Sequence, residues 1–440
     1  MLRVRVRVPA REYDGLESAV GTPSTSVPMK RLQQADKLLG WLACAGLQPL
    51  RLLRARPGRS SAPAAILLVK FWGIGSLQLL TPAVSVLRRD RPRARLVLLT
   101  LRQNEEFARG LRVFDEVLTL DVRVSHGPRG WWRLLGRIGG LVATLRRERF
   151  DRVYDFEFFT RFSSVVSLLS GAGAIVGFAA PGVWRGGFHT HTIQFNRYWH
   201  VSRNFRALAG GECGEEIEAL TPYPTRRRDA LALDERLERA GVPAGRPIAV
   251  LNANAGSLAL ERRWPAASFA ALARRLALED GTPVVFVGSE DEKAYVAGIA
   301  RAAGPAPHGL LVDLSGELAI GELAALLDRA GVHVTNDTGP MHIGAALGTP
   351  TVALFGPETP VMYGPVGRRS IALWRPPPCS PCINVHDNKV LNCVRGVPEC
   401  LTNIPVELVL SEARERLRDE VLVASRLPFA AARLAEGASA

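Results

Sequence analysis

The stretch from Val334 to Pro357, VTNDTGPMHIGAALGTPTVALFGP, constrains the fold more than any other. It reads as strand, turn, short helix and strand. Val332 to Thr335 is a β-type run, Asn336 and Asp337 stop it, and Thr338 and Gly339 carry the turn. Pro340 suits the first turn of a helix because it has no N–H to leave unpaired. Met341 to Leu347 keep helical spacing, Gly348 ends the helix, and Pro350 to Phe355 give the next apolar strand. A helix that starts just after a strand presents unpaired backbone N–H groups and the positive end of its dipole, a ready site for a diphosphate. The plainer alternative is one more strand-to-helix turn in a doubly wound sheet.

The rest of the chain repeats the pattern. ILLVKFW (Ile66 to Trp72), RLVLLT (Arg95 to Thr100), EVLTL (Glu116 to Leu120), RVYDFEFF (Arg152 to Phe159) and AIVGF (Ala174 to Phe178) read as buried strands. Helical segments separate them, among them a long basic one from Trp131 to Arg149. Pro181 to Tyr198 has weak periodicity and reads as a loop or hairpin. A second series opens at Pro247 to Asn252 and runs through PVVFVGS and LLVDLSG to the opening stretch. Strands alternating with helices imply parallel sheets covered on both faces. The expected fold class is α/β, with two tandem doubly wound Rossmann-like domains and a cleft between them. The expected boundaries are a basic lead over 1–62, a first domain over 63–220, a linker over 221–246, a second domain over 247–420 with a cysteine-containing segment at 379–400, and a tail over 421–440.

Composition narrows the class. A chain of 440 residues, 47% hydrophobic, can bury two ordinary cores. No run of about 18 apolar residues lacks charge, and MLRVRVRVPARE has no apolar segment after its basic start, so neither a membrane span nor a signal peptide is expected. The formal charge is +14, and residues 1–60 hold 11 Lys/Arg against 4 Asp/Glu. No zinc-finger, helix-turn-helix or aromatic-basic RNA pattern accompanies this charge, so the expected anionic partner is a membrane face rather than nucleic acid. Residues 1–26 read as poorly ordered, Met29 to Ala45 as an amphipathic helix with Trp41, and Pro57 to Ala64 as a linker. That helix suits either a membrane interface or the surface of the main body.

Ligands of doubly wound sheets sit at the carboxyl ends of the strands. Residues expected there are Gly73 to Ser76, Asp155 and Glu157, Asn252 to Gly256, Gly288 to Glu292, and Asn336 to His342. Four segments then carry a family resemblance: ILLVKFWGIGSLQLLTPAVSVLRR, NANAGSLALERRWPAASFAALA, VVFVGSEDE, and LSGELAIGELAALLDRAGVHVTNDTGPMHIGAALGTPTVALFGPETPVMYGP. In this order the chain resembles glycosyltransferase family 9, the ADP-heptose:lipopolysaccharide heptosyltransferases and their relatives, over roughly residues 65 to 415.

The resemblance implies a GT-B fold and inverting, metal-independent transfer, with no cofactor besides a nucleotide-sugar donor such as ADP-heptose. It implies a lipid-linked glycan or lipopolysaccharide-core acceptor at the cytoplasmic face of the inner membrane. Asp337, Thr338 and Gly339 would hold the donor diphosphate, with His342 on the same helix. Arg262 stands where the family usually has Lys and would neutralise phosphate charge. Glu292 matches an acid near the donor nucleoside, and Asn252, Ala255 and Gly256 would line the same cleft. Plainer readings stand beside these: a solvated helix start for Arg262 and a dipole-favoured helix acid for Glu292.

The first motif departs from the family at Gly75-Ser76, where Gly-Asp supplies the general base. A serine hydroxyl takes up no proton at neutral pH without a base behind it. Asp155 and Glu157 are the expected replacements. The alternatives are reliance on leaving-group stabilisation, or a nucleotide-sugar-binding protein with impaired chemistry. Cys379, Cys382, Cys393 and Cys400, with His386 between them, read either as a metal-ligand set or as a local staple of reduced thiols; the site expected here is metal-free.

Overall fold

The computed structural model describes residues 29–51, 64–123, 128–180, 182–212, 217–256, 259–383 and 393–418. The expectations for residues 1–26, for most of the 57–64 linker, for the 421–440 tail and for His386 lie outside the described residues.

The first half runs α1 (Met29–Gly46), β1 (Ala65–Val69), α2 (Ile74–Asp90), β2 (Arg95–Leu101), α3 (Glu105–Gly110), β3 (Glu116–Leu120), α4 (Pro128–Glu148), β4 (Arg152–Asp155), α5 (Arg161–Leu169), β5 (Ala174–Ala179), β6 (His191–Gln194) and α6 (Val201–Leu208). After α7 (Arg227–Arg239) come β7 (Ile248–Asn252), α8 (Ala266–Leu278), β8 (Val284–Phe286), α9 (Lys293–Ala302), β9 (Leu311–Asp313), α10 (Ile320–Arg329), β10 (Ala330–Asn336) and α11 (Gly339–Leu347). The second half ends with β11 (Thr351–Phe355), α12 (Pro360–Tyr363), β12 (Ser370–Trp374), α13 (Glu399–Thr402) and α14 (Val406–Leu417).

The strands form two six-stranded sheets, in the orders β3-β2-β1-β4-β5-β6 and β12-β11-β10-β7-β8-β9. All the pairings are parallel. Counted within its own sheet, each half has the same doubly wound order, whose winding reverses between β1 and β4 and between β7 and β10. Ligand sites belong at the carboxyl ends of those four strands. The fold is the α/β GT-B architecture expected from the sequence.

Both sheet faces are covered, which is why the strands are nearly continuous apolar runs. Ile66 and Leu68 of β1 pack toward α2 and α6. Leu67 and Val69, alternating with them, pack toward α4 and α5. In the second half, α8, α9 and α14 cover one face. The apolar cluster around α2 and α6 continues into α10 and α11, and α2 packs directly on α11, so the two halves meet along these helices.

Two differences from the sequence reading concern the first sheet. The 181–198 stretch, expected to be a loop or hairpin, contains a sixth parallel strand, β6, on the sheet edge. Its HTIQ side chains are mostly exposed, so no apolar run marks it. The fourth strand ends at Asp155 rather than Phe159 because the chain turns there into a set of buried polar contacts. Within the expected linker, α7 lies along α10, with Arg236 paired to Glu322 at 3.0 Å and Arg329 paired to Asp234.

Candidate active site

The second winding reversal brings β7 and β10 side by side, so Asn252 and Asn336 end neighbouring strands. Asn252 donates from Nδ2 to Thr335 Oγ1 (3.2 Å) and Thr338 Oγ1 (2.9 Å). Asn336 accepts from the Trp264 N–H (3.0 Å) and donates to the carbonyls of Ala253 (2.9 Å) and Asn254 (3.1 Å). These amides tie the loop after β7 to the turn before α11. Sequence reasoning placed Asn336 at a strand end on the ligand side but did not foresee this bracing, although a buried Asn at that point needs partners for both ends of its amide.

Arg262 reaches the same turn. Its Nη1 donates to the Asp337 carbonyl (2.9 Å) and pairs with the Asp337 carboxylate at 3.2 Å, while Nη2 donates to the Ala255 carbonyl (2.7 Å). Thr338 occupies the N-cap of α11 without a side-chain cap bond, and Pro340 sits in the first turn, so the helix start keeps open N–H groups. Glu292 accepts from Ser289 N–H (3.0 Å) and Oγ (2.8 Å), and its other oxygen takes the Gly256 N–H at 3.3 Å. Glu292 therefore both caps its own turn and closes the loop after β7. Asn252, Arg262, Asp337, Thr338 and Gly339 thus meet at one helix start, and Glu292 with Gly256 closes the loop after β7 that Arg262 also binds.

Across from it lies the first winding reversal. Gly73, at φ 69°, lets the chain turn out of β1 into α2, whose N-cap also lacks a side-chain bond. Ser76 is half-buried in the first turn of α2. The two helix starts touch: a β-carbon built on Gly75 would lie 2.8 Å from His342 Cδ2 and 3.1 Å from Gly339 Cα. Two helix N-termini thus meet here, with the Arg262 guanidinium on the turn that starts one of them, a setting that favours an anion.

Asp155 and Glu157 lie elsewhere. Both are fully buried at the carboxyl end of β4. Glu157 pairs with Lys70 at 2.9 Å and accepts the N–H groups of Phe71 (2.7 Å) and Trp72 (3.3 Å). Lys70 also lies over the rings of Phe158 and Phe205. Asp155 pairs with Arg185, with His189 Nε2 (3.1 Å) and with Ser163 Oγ (3.1 Å), and accepts the Glu157 N–H (3.1 Å). Burial would raise the Asp155 carboxyl, but Arg185 and His189 outweigh it and hold its pKa below the usual value. Arg185 also donates to the carbonyls of Glu157 (2.6 Å) and Thr160 (3.0 Å). The two carboxylates therefore lie at the carboxyl end of β4, as expected, but both are buried, and Glu157 braces the chain just before the Gly73–Ser76 turn. Sequence reasoning missed Lys70, Arg185 and His189, whose partners are distant in the chain.

The cysteine segment stands apart. Cys379, Cys382, Cys393 and Cys400 line one cavity of about 170 Å³, with Glu261 and Arg395. Burial pushes the Cys400 thiol up to about 11. Among the described residues, no group of three or more His, Cys, Asp or Glu is arranged to hold a metal ion.

Known proteins resemble the chain at the level of both sequence and fold. Lipopolysaccharide heptosyltransferase 3 of Escherichia coli K12 is 24% identical over 306 residues, 68% of this chain and 85% of that protein. Lipopolysaccharide heptosyltransferase 2 of Salmonella typhimurium LT2 is 28% identical over 159 residues, 36% of this chain and 44% of that protein, so this match spans less than half of the relative. The structure of Escherichia coli ADP-heptose lipopolysaccharide heptosyltransferase II has a TM-score of 0.65 at 20% identity, covering 81% of this chain and 99% of that one. A family 9 glycosyltransferase from Veillonella parvula has a TM-score of 0.63 at 22% identity, covering 80% and 97%. These two likenesses are of fold. The model of glycosyltransferase family 9 (heptosyltransferase) matches residues 138–391, more than half of the chain and inclusive of the β7, Arg262 and α11 segments, and this chain belongs to that family.

Proposed function

We propose that the chain moves a heptose-like sugar from a nucleotide-diphosphate donor to a lipid-linked glycan acceptor of the lipopolysaccharide type. The observation that carries this reading is the convergence of Arg262 and the open start of α11 on one turn, facing the start of α2. Its relatives are named lipopolysaccharide heptosyltransferases, and one structural neighbour is an ADP-heptose enzyme; carried over, those names supply ADP-heptose and the lipopolysaccharide core. The second half takes the donor and the first half the acceptor. The acceptor hydroxyl oxygen attacks the anomeric carbon, its proton passes to solvent water, the bond from that carbon to the β-phosphate oxygen breaks, and configuration inverts. Arg262 and the N–H groups at Thr338 and Gly339 stabilise the charge on the departing diphosphate, without a metal ion. Asp337 orients Arg262, Asn252 orients Thr338, and Glu292 with Gly256 shapes the nucleoside end. Ser76 orients the acceptor hydroxyl, and Asp155 and Glu157 act as positioning residues. The work takes place on the cytoplasmic, anionic face of the inner membrane. No helix among the described residues is long and apolar enough to cross a membrane.

A thermal-shift screen of nucleotide diphosphates and nucleotide sugars tests the donor assignment. Selective stabilisation by one nucleotide supports it, and no shift with any of them sinks it. A second reading, a nucleotide-sugar binder with impaired chemistry, is favoured by Ser76 at the usual place of the base and by the burial of both nearby carboxylates. Donor hydrolysis separates the two. Slow nucleotide release without acceptor marks the transferase, and faster turnover in Ser76→Asp shows that position 76 faces the reacting hydroxyl.

A further inference from the structure

Among its described side chains, α1 turns Asp36, Gly40 and Cys44 inward and exposes Leu38, Leu39 and Leu42. Asp36 caps α5 from outside, accepting the N–H groups of Arg161 (3.0 Å) and Phe162 (2.8 Å). Gly40 lets the helices approach closely, since a β-carbon there would lie 2.9 Å from Arg161 Cβ. Cys44, one turn further, is fully buried against Val165 and Leu168. The opposite side shows Leu38, Leu39 and Leu42, each more than half exposed, and Trp41, which pairs with the exposed ring of Trp184 at 5.9 Å.

A second apolar group stands on the same flank of the sheet. α4 and α5 cover one face together, and both start at the carboxyl edge of the sheet, where β3 and β4 end. The first two turns of α4 expose Trp131, Trp132 (73% exposed) and Leu135. Among the described residues, the exposed charges on this face of α1 and on the first two turns of α4 are of one sign. Lys37, Arg129 and Arg133 are exposed, and α4 has no acid before Glu148. The lone acid in the described part of α1, Asp36, is turned inward onto α5. Two copies of this face would repel each other, whereas an anionic bilayer complements it.

We infer that the exposed face of α1, with the first two turns of α4, docks onto an anionic lipid bilayer. Leu38, Leu39, Leu42 and the tryptophans enter the headgroup boundary while the Lys and Arg side chains meet lipid phosphates. The loop that carries Trp184 outward also sends Arg185 inward to the floor of the cleft. A docked molecule therefore holds its acceptor side at the lipid surface. This inference rests on the membrane-held acceptor proposed above and names the surface that would reach it.

The test is flotation of the full chain with vesicles of phosphatidylcholine alone or mixed equally with phosphatidylglycerol, at low and high salt. The expected result is recovery with the mixed vesicles, weakened by salt. Leu38→Ser with Leu42→Ser, and separately Trp132→Ser, should each lower the partition coefficient about tenfold or more. Stabilisation by nucleotide diphosphate should stay as in the parent chain, which keeps a failed donor assignment distinguishable from a failed docking face. Failure to float with the mixed vesicles overturns the inference, as does flotation that the variants leave unchanged. Sedimentation velocity showing a dimer that the leucine variant dissociates also overturns it, because the face would then belong to a second copy.

Discussion

The imidazole ring of His342 rests on the backbone of Gly75, one residue from each domain, at the point where two helix starts face each other. A β-carbon on Gly75 would come to 2.8 Å from the ring and 3.1 Å from Gly339 Cα. Contacts that short force the neighbours to move, and one of them is backbone. The reciprocal position is as tight, with a β-carbon on Gly339 lying 2.4 Å from Ile74 Cγ1. The two domains close on this pair of glycines.

Gly75→Ala should therefore hold the cleft ajar. Overpacking a tight contact costs about 1–3 kcal/mol. The expected outcome is a lower melting temperature together with a fall in kcat/KM of about tenfold or more. Steady-state kinetics beside a melting curve would check this, and undiminished kcat/KM would show that the closed contact is not needed for turnover.

Arg262 supplies a second prediction. It is anchored by the Asp337 and Ala255 carbonyls and by the Asp337 carboxylate, so its fork is set before any donor arrives. Arg262→Ala removes a cation from beside the leaving diphosphate and should lower kcat/KM by about a hundredfold. Arg262→Lys keeps the charge but loses the fork, so its loss should be smaller, about tenfold. Equal losses in the two variants would indicate that charge has no part in the effect.

The buried pair under the α2 turn is predicted to act through stability. Glu157→Gln removes the carboxylate paired with the buried Lys70 and should cost about 3–5 kcal/mol. Replacing both, as Lys70→Met with Glu157→Leu, removes both charges and should recover part of that loss. Denaturant unfolding of the single and double variants measures both. A Glu157→Gln protein of unchanged stability but lost turnover would instead restore the carboxylate to the chemistry.

The contrast between the two halves of the site shows what a sequence can reveal. Asp337, Thr338 and Gly339 were legible because strand end, turn and helix start are local, and Arg262 lies close before a Trp-Pro helix entry in the same domain. The carboxylates of β4 were legible in place but not in environment. Their partners Lys70, Arg185 and His189 come from other segments, and only the packed sheet brings them together. Asp36 is the same case: an ordinary polar residue of an amphipathic helix in the sequence, and the cap of a helix 125 residues away in the fold. Edge strand β6 was missed because exposed side chains on a sheet edge leave no apolar pattern.

Acid sensitivity should trace to His333. It sits in the middle of β10, fully buried, and burial pushes its pKa from 6.5 down to about 3. The folded chain therefore keeps it neutral, while the unfolded chain takes up a proton as soon as the pH drops below 6.5. The stability is fully present above that value and is lost as the pH falls toward the folded pKa. At pH 5 the loss comes to about 2 kcal/mol. His200, whose Nε2 donates to the Gly364 carbonyl at 3.0 Å, has its pKa pushed by burial to about 4 and adds a drop in the same direction. Melting curves at neutral pH and near pH 5 should show His333→Gln with a smaller acid drop than the parent chain, whatever its absolute stability. An equal drop in both proteins would assign the acid sensitivity to His200 or to the paired carboxylates.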